Sequence, residues 1–270
     1  MRTNTKVALL LAGAVLASHA QWLNYRDPKI PRTKDGRANL TAPAPRLNGK
    51  PDFSGVWQTE RTPPSEYARV LGPNFESLQV DSQDVTKEFV NVFWGLKPQE
   101  EPLRPEAIAI MKQNRGIAPQ CLPPSIPIST FVYAFKFVQA PQEIVMITGT
   151  GDPPRQIYLD GRKLPKDPDP TWMGYSSGRW EGETLVVETT GFNGRGTLDA
   201  FGHLRSESMH ITERFHRRDF GHMDLEMTFE DPKYYTRPFT LKTAVNLLPD
   251  TDALEFVCAE NEKDRAHLGK

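Results

Sequence analysis

From Thr130 onward the chain reads as a succession of short β segments separated by turn residues. No stretch between them has the length and period of a crossover helix. Segments with strand character fall at residues 130–138, 143–148, 155–159, 172–176, 184–190, 207–215, 222–229, 239–247 and 254–258. An earlier strand at 52–59 has Phe53, Gly55 and Trp57 alternating with Ser54, Val56 and Gln58. Without intervening helices, parallel βαβ units are excluded. An all-β fold, mainly antiparallel, is expected, as a strongly curved sheet or a barrel, because closure removes exposed edges.

The sequence before this region behaves differently. Residues 62–120 are irregular, with a short helix expected at 88–94. A better one is expected at 104–115, where Pro105 lies near the start and Gly116 follows the end. Residues 21–51 are rich in Pro, Lys, Arg and Asn and carry neither helical nor strand period, which reads as an extended arm. The first twenty residues have Arg2 and Lys6, an apolar run over 7–17, and Ser18-His19-Ala20 before Gln21. That is the pattern of a cleavable signal peptide, and the run is about half the roughly 20 residues a membrane span needs. The expected organisation is therefore a signal peptide at 1–20, an arm at 21–51, and one β domain at 52–270. A partly helical insertion interrupts that domain at about 62–120.

Export sets the redox context. Cys121 and Cys258 are the two cysteines, and in an oxidising compartment such as the periplasm or cell exterior they read as one disulfide. Closing so long a loop is worth about 4–5 kcal/mol in the chain-entropy picture. Two separately buried thiols are the alternative. The formal net charge is -1 with scattered cations, so no electrostatic footprint for nucleic acid or anionic lipid is present. Gly149-Thr150-Gly151 runs into Asp152-Pro153-Pro154 and a strand rather than a helix, which excludes a phosphate or dinucleotide loop. No Gly-X-Ser-X-Gly elbow occurs. No cofactor and no metal are expected.

Gly55-Val56-Trp57 on the first strand resembles the Gly-X-Trp signature that opens lipocalin-type barrels, which implies a lipocalin-like barrel with an indole plugging one end. About seventy residues of Pro-rich, partly helical sequence before the next strand depart from that pattern. A second resemblance covers most of the chain after residue 20. It rests on residues 155–162 (RQIYLDGR), 171–175 (TWMGY), 178–189 (GRWEGETLVVET) and 219–224 (DFGHMD), which are similar to a family of exported proteins from environmental bacteria. That likeness implies a bacterial source and one architecture, with no chemistry attached.

Candidate site residues come from two constellations. The densest ionisable cluster runs from His203 to Asp224. Period 2 puts Met223, Leu225, Met227 and Phe229 on one face of the second strand and His222, Asp224, Glu226 and Thr228 on the other. On the first strand His210, Thr212, Arg214 and His216 share a face. If the polar faces line a cavity, His210 and His222 can act as acid and base, oriented by Asp224 or Glu207. If not, they form an ordinary solvated face. Glu213 interrupts an apolar face and needs a partner, with Arg155 or Arg179 as candidates. The second constellation is aromatic: Trp172 and Tyr175 follow the Pro-rich loop at 167–170, and with Tyr158 and Arg155 they are candidate ligand contacts at a barrel rim.

Three functions fit this outline. One is an exported binding protein for an apolar or aromatic small molecule in a barrel pocket. Another is a cofactor-independent lyase, hydratase or isomerase using the His/carboxylate set. The third is an envelope structural or interaction protein that uses the arm.

Overall fold

The computed structural model describes residues 26–71, 86–113, 125–132, 134–149 and 152–253. The expected signal peptide, the strand expected at 254–258, and both Cys121 and Cys258 lie outside the described residues. The elements in chain order are β1 (Arg46–Leu47), β2 (Lys50–Pro51), β3 (Gly55–Thr59), α1 (Pro64–Leu71), α2 (Lys87–Val90), α3 (Pro105–Gln113) and α4 (Ile128–Val132). They continue with β4 (Phe135–Ala140), β5 (Glu143–Thr148), β6 (Arg155–Tyr158), β7 (Tyr175–Glu181), β8 (Thr184–Thr190), β9 (His210–Arg217), β10 (His222–Glu230) and β11 (Phe239–Leu247).

Strands β3 to β11 close into a nine-stranded barrel, with β11 pairing back onto β3. Eight of the nine pairings are antiparallel. The exception is β6 with β7, where Ile157 faces Ser176 and Tyr158 faces Ser177 in parallel. The reason lies in residues 159–174, which run back along the barrel instead of turning tightly. Thr171 N donates to Gly191 O at 2.9 Å and Asn193 N to Thr171 O at 2.9 Å, so this return is clipped to the chain leaving β8. The barrel is therefore mainly antiparallel, as the sequence pattern indicated, with one parallel pair that it did not single out.

Two further expectations shift. The β-branched and aromatic run at 130–138 splits into the buried helix α4 and strand β4, and the strand expected at 172–176 begins at Tyr175 and extends to Glu181. The helix expected at 88–94 is the four-residue α2, capped by Thr86, whose side chain accepts from Phe89 N at 3.2 Å. Helix α3 starts at Pro105, as the N-terminal proline indicated.

Inward positions alternate along every long strand. On β10, Met223, Leu225, Met227 and Phe229 are buried, and on β9, Ile211, Glu213, Phe215 and Arg217 are. The two barrel ends are closed differently. At the end where β3 begins, Trp57 is fully buried and its Nε1 donates to Phe53 O at 2.8 Å. Phe53 stacks on Trp180 at 5.7 Å and meets Phe215 edge-on at 6.3 Å. Gly55 takes φ +139°, and a Cβ there would stand 2.7 Å from Leu247 Cδ1, so the closing strand pair needs glycine at this position.

The arm packs over this same end of its own barrel. Phe220 N donates to Ala42 O and Gly221 N to Leu40 O, each at 2.7 Å. Arg46 pairs with Glu183 at 2.8 Å, and Arg32 pairs with Asp250 through two nitrogens. The opposite end is closed by α4 and by residues 192–209. There Phe93 packs on Phe239 at 4.7 Å and Phe229 stacks on Phe239 at 5.0 Å.

Candidate functional site

The residues singled out from the sequence do not form one site. His210 pairs with Glu230, while His222 begins the same β10 strand eight positions earlier. At the usual rise the two imidazoles are about 26 Å apart along the hairpin. Both are half-buried on the outer face. His222 Nδ1 stands 2.7 Å from Asp219 Oδ1, so its carboxylate neighbour is Asp219 and not Asp224. Asp224 is exposed and pairs with Arg218 at 3.2 Å. Glu207 lies exposed in the turn before β9 rather than on a strand.

An open depression of about 520 Å³ on this outer face is lined by Arg214, His216, Asp224, Glu226 and Lys242. Its charges neutralise one another: Arg214 pairs with Glu181 at 2.9 Å and Lys242 with Glu226 at 2.7 Å. That is the solvated face of a twisted sheet.

The four ligand-contact candidates are also divided. Tyr158 and Tyr175 point outward. Tyr158 lies under the Arg162 guanidinium at 3.6 Å, and the Tyr175 hydroxyl donates to Asp169 O at 3.1 Å. Trp172 packs half-buried against the core. Arg155 is turned inward and 1% exposed. There it meets Glu213 through two nitrogens, with Nη1 to Oε1 at 3.0 Å, and it also donates to Ser176 Oγ at 3.0 Å and Thr189 Oγ1 at 2.8 Å. Arg155 is thus the buried partner of Glu213 rather than a rim contact.

Comparing the buried arginines locates a different site. Arg155 has a carboxylate. Arg217 has no salt bridge, yet its nitrogens donate to the carbonyls of Asp52, Asp219 and Phe220, and its guanidinium lies over Trp57 at 4.8 Å. Burial lowers Arg217 to about 10, with Asp52 and Asp219 opposing that shift.

Arg205 is as deeply buried, at 1% exposure. It makes one hydrogen bond, from Nη1 to Ile126 O at 2.9 Å, and rests on the Phe192 ring at 4.4 Å. Its Nε and Nη2 have no partner among the described residues. Burial lowers its pKa to about 10, and no carboxylate acts against that. At neutral pH it is a buried cation without a counter-charge among the described residues.

Local sequence explains the setting. The stretch Ser125-Ile126-Pro127-Ile128-Ser129-Thr130-Phe131 is buried throughout, because α4 is inserted into the barrel mouth instead of lying on its surface. Its apolar members join the core, and its hydroxyls are carried inside with them. Ser125 Oγ, Ser129 Oγ and Thr130 Oγ1 all lack partners among the described residues. Ser125 also adopts φ +56°, an uncommon conformation for a residue with a side chain.

Gly196 separates Ser125 from Arg205. A Cβ there would stand 2.5 Å from Arg205 Nη2 and 3.2 Å from Ser125 Oγ. Gly196 is itself partly exposed, so the niche lies one residue deep.

Beside this niche, His203 Nδ1 stands 2.5 Å from Asp199 Oδ2, and His203 Nε2 stands 3.6 Å from Glu101 Oε2. Burial alone would lower this imidazole. Asp199 and then Glu101 outweigh burial and raise it to about 9. Asp199 also accepts from Val92 N at 2.7 Å, which ties the cap to the segment after α2. Among the described residues no group of three His, Cys, Asp or Glu side chains is arranged to hold a metal ion.

The sequence reading missed Arg205, Ser125, Ser129 and Thr130. The legible signal was three hydroxyls embedded in an apolar run just before a strand. No protein-family model, no curated protein and no solved structure matches the chain.

Proposed function

We propose that this chain is an exported small-molecule-binding protein. Its ligand has an apolar or aromatic body and is held at the barrel end closed by α4 and residues 192–209. The observation that carries this reading is a half-used guanidinium near the buried Ser125 hydroxyl, with the buried Ser129 and Thr130 hydroxyls of α4 also without partners among the described residues, in a core that includes Phe131 and Phe192. Protein interiors satisfy their polar groups, and each unsatisfied one costs about 1–3 kcal/mol. A ligand that supplies the missing partners recovers that cost. An apolar surround with a few convergent polar groups is also the usual composition of a ligand pocket. The middle of the barrel is filled by its own side chains, Phe137, Met146 and Leu225 among them, so the end is the favoured place.

The acid–base alternative draws no support from four residues spread along the outer face. The interaction-arm alternative is weakened by an arm that packs on its own barrel.

The test uses the mature chain and a panel of apolar and aromatic compounds, followed by thermal unfolding, with native mass spectrometry of protein purified from its own host. A ligand at a hundred times its Kd stabilises by about 2.7 kcal/mol, which raises Tm by roughly 5–10 °C for a chain of this size. A flat panel together with ligand-free protein from the host refutes the reading. N-terminal sequencing of that protein tests export, with Gln21 expected as the first residue.

A further inference from the structure

We propose that Arg205 anchors the carboxylate of the bound molecule, so that the ligand is a monoanionic apolar or aromatic acid. This rests on the binding reading above and narrows it to a chemical class. Among the buried arginines, Arg155 is neutralised by Glu213 and Arg217 is bonded to three carbonyls, whereas Arg205 has neither among the described residues. An unpaired buried charge is among the costliest features a fold can carry, and one negative charge removes it.

The free donors specify the shape of that charge. Nε and Nη2 lie on the same edge of the guanidinium, and both are unpartnered. Two parallel N–H groups on a rigid plane match the two oxygens of a carboxylate. Charge number then separates the oxyanions: a carboxylate brings the niche to neutrality, while a phosphate dianion leaves one buried negative charge.

Having no side chain, Gly196 lets the backbone pass directly against the Arg205 guanidinium and the Ser125 hydroxyl. Any Cβ there would run against Arg205 Nη2 and Ser125 Oγ. With Gly196 partly exposed, the head group needs to pass only one residue to reach the arginine. The Ser125 hydroxyl lies against the same glycine and is a second donor without a partner among the described residues. The Phe192 ring beneath the guanidinium holds the plane in place while leaving its edge free.

The experiment measures binding of octanoate and 4-phenylbutyrate to the mature chain by calorimetry, each against its primary amide, with inorganic phosphate as a third arm. A charge-assisted pair exceeds a neutral one enough to favour each acid over its amide by about 10- to 100-fold. Arg205→Gln is expected to abolish that preference. Gly196→Ala keeps the arginine but drives a methyl against its Nη2, and is expected to weaken the acids at least 10-fold, which guards against a failure of Arg205→Gln to fold. Equal binding of acid and amide to the wild-type chain overturns the carboxylate assignment and leaves the binding function standing. So does tighter binding of phosphate than of either acid, or an acid preference that survives Arg205→Gln. If neither acids, amides nor any other apolar compound bind, the parent reading falls as well.

Discussion

Replacing Glu213 with Gln tests the interior of the barrel most directly. The substitution keeps the shape of the side chain and removes its charge, leaving the Arg155 guanidinium buried with Ser176 and Thr189 as its neutral partners. Both members of the pair are 1% exposed at the side chain, so solvent can neither screen the pair nor rescue the survivor. Breaking such a pair from one side costs about 3–5 kcal/mol, because the remaining charge is uncompensated. Removing both charges is a different perturbation. Arg155→Met with Glu213→Leu leaves Ser176 Oγ and Thr189 Oγ1 bonded to each other at 2.9 Å, and apolar replacement of a buried pair is commonly neutral or stabilising by about 1–4 kcal/mol. The double variant is therefore expected near or above wild-type stability, well above the single one.

Urea unfolding followed by tryptophan fluorescence reads this. With a slope of about 3 kcal/mol per molar urea for a chain of this length, Glu213→Gln lowers the midpoint by about 1–1.5 M, and the double variant returns it. A loss below about 1 kcal/mol in Glu213→Gln refutes the claim that the pair is dry and formed. A double variant as unstable as the single one refutes the charge argument even if the pair exists, since packing would then account for the loss.

Two further outcomes follow from other positions. His203 holds its proton in the folded chain to about pH 9 but near pH 6.5 when unfolded, so its contribution is complete below pH 6.5 and is lost as pH rises through 9. It amounts to as much as about 3 kcal/mol. Urea midpoints of wild type and His203→Gln at pH 6, 7.5 and 9 should converge as pH rises, and parallel profiles would contradict the assignment. Gly178 faces inward on β7, and a Cβ there would stand 2.7 Å from Leu159 Cδ2 and 3.2 Å from Ile157 Cγ2. Gly178→Ala is expected to destabilise by about 1–3 kcal/mol through overpacking, and a midpoint equal to wild type would show that the barrel wall has slack there.

How much of this was legible in the sequence depends on whether a residue sat in a periodic segment. The faces of β9 and β10 follow directly from period 2, including the inward carboxylate at Glu213 and its need for a partner such as Arg155. The parallel β6–β7 pair was hidden, because Asp160-Gly161 has the chemistry of a tight hairpin and nothing local distinguishes a turn from the start of a return crossing. Helix α4 was hidden for a related reason. Phe131 and Val132 favour strands, and only burial in the barrel mouth selects a helical turn for them. Arg205 had no signal at all. It sits in a segment without period between Leu204 and Ser206, and its burial is decided by α4 and Phe192 closing over it.

The contrast between Arg217 and Arg205 gives the barrel a direction. At the arm end, the donors of Arg217 are used by carbonyls that include Asp52 O at the junction between the arm and β3. Asp52 O thus adds a third acceptor to the two supplied by the β9–β10 turn, at the end of the barrel that the arm covers. At the α4 end no chain segment among the described residues performs the same service for Arg205. One closed end and one electrostatically incomplete end are what a single-mouthed binding protein requires, because a ligand must be able to leave by the route it used to arrive. On the binding reading proposed above, the ligand would enter and leave on the side of Gly196.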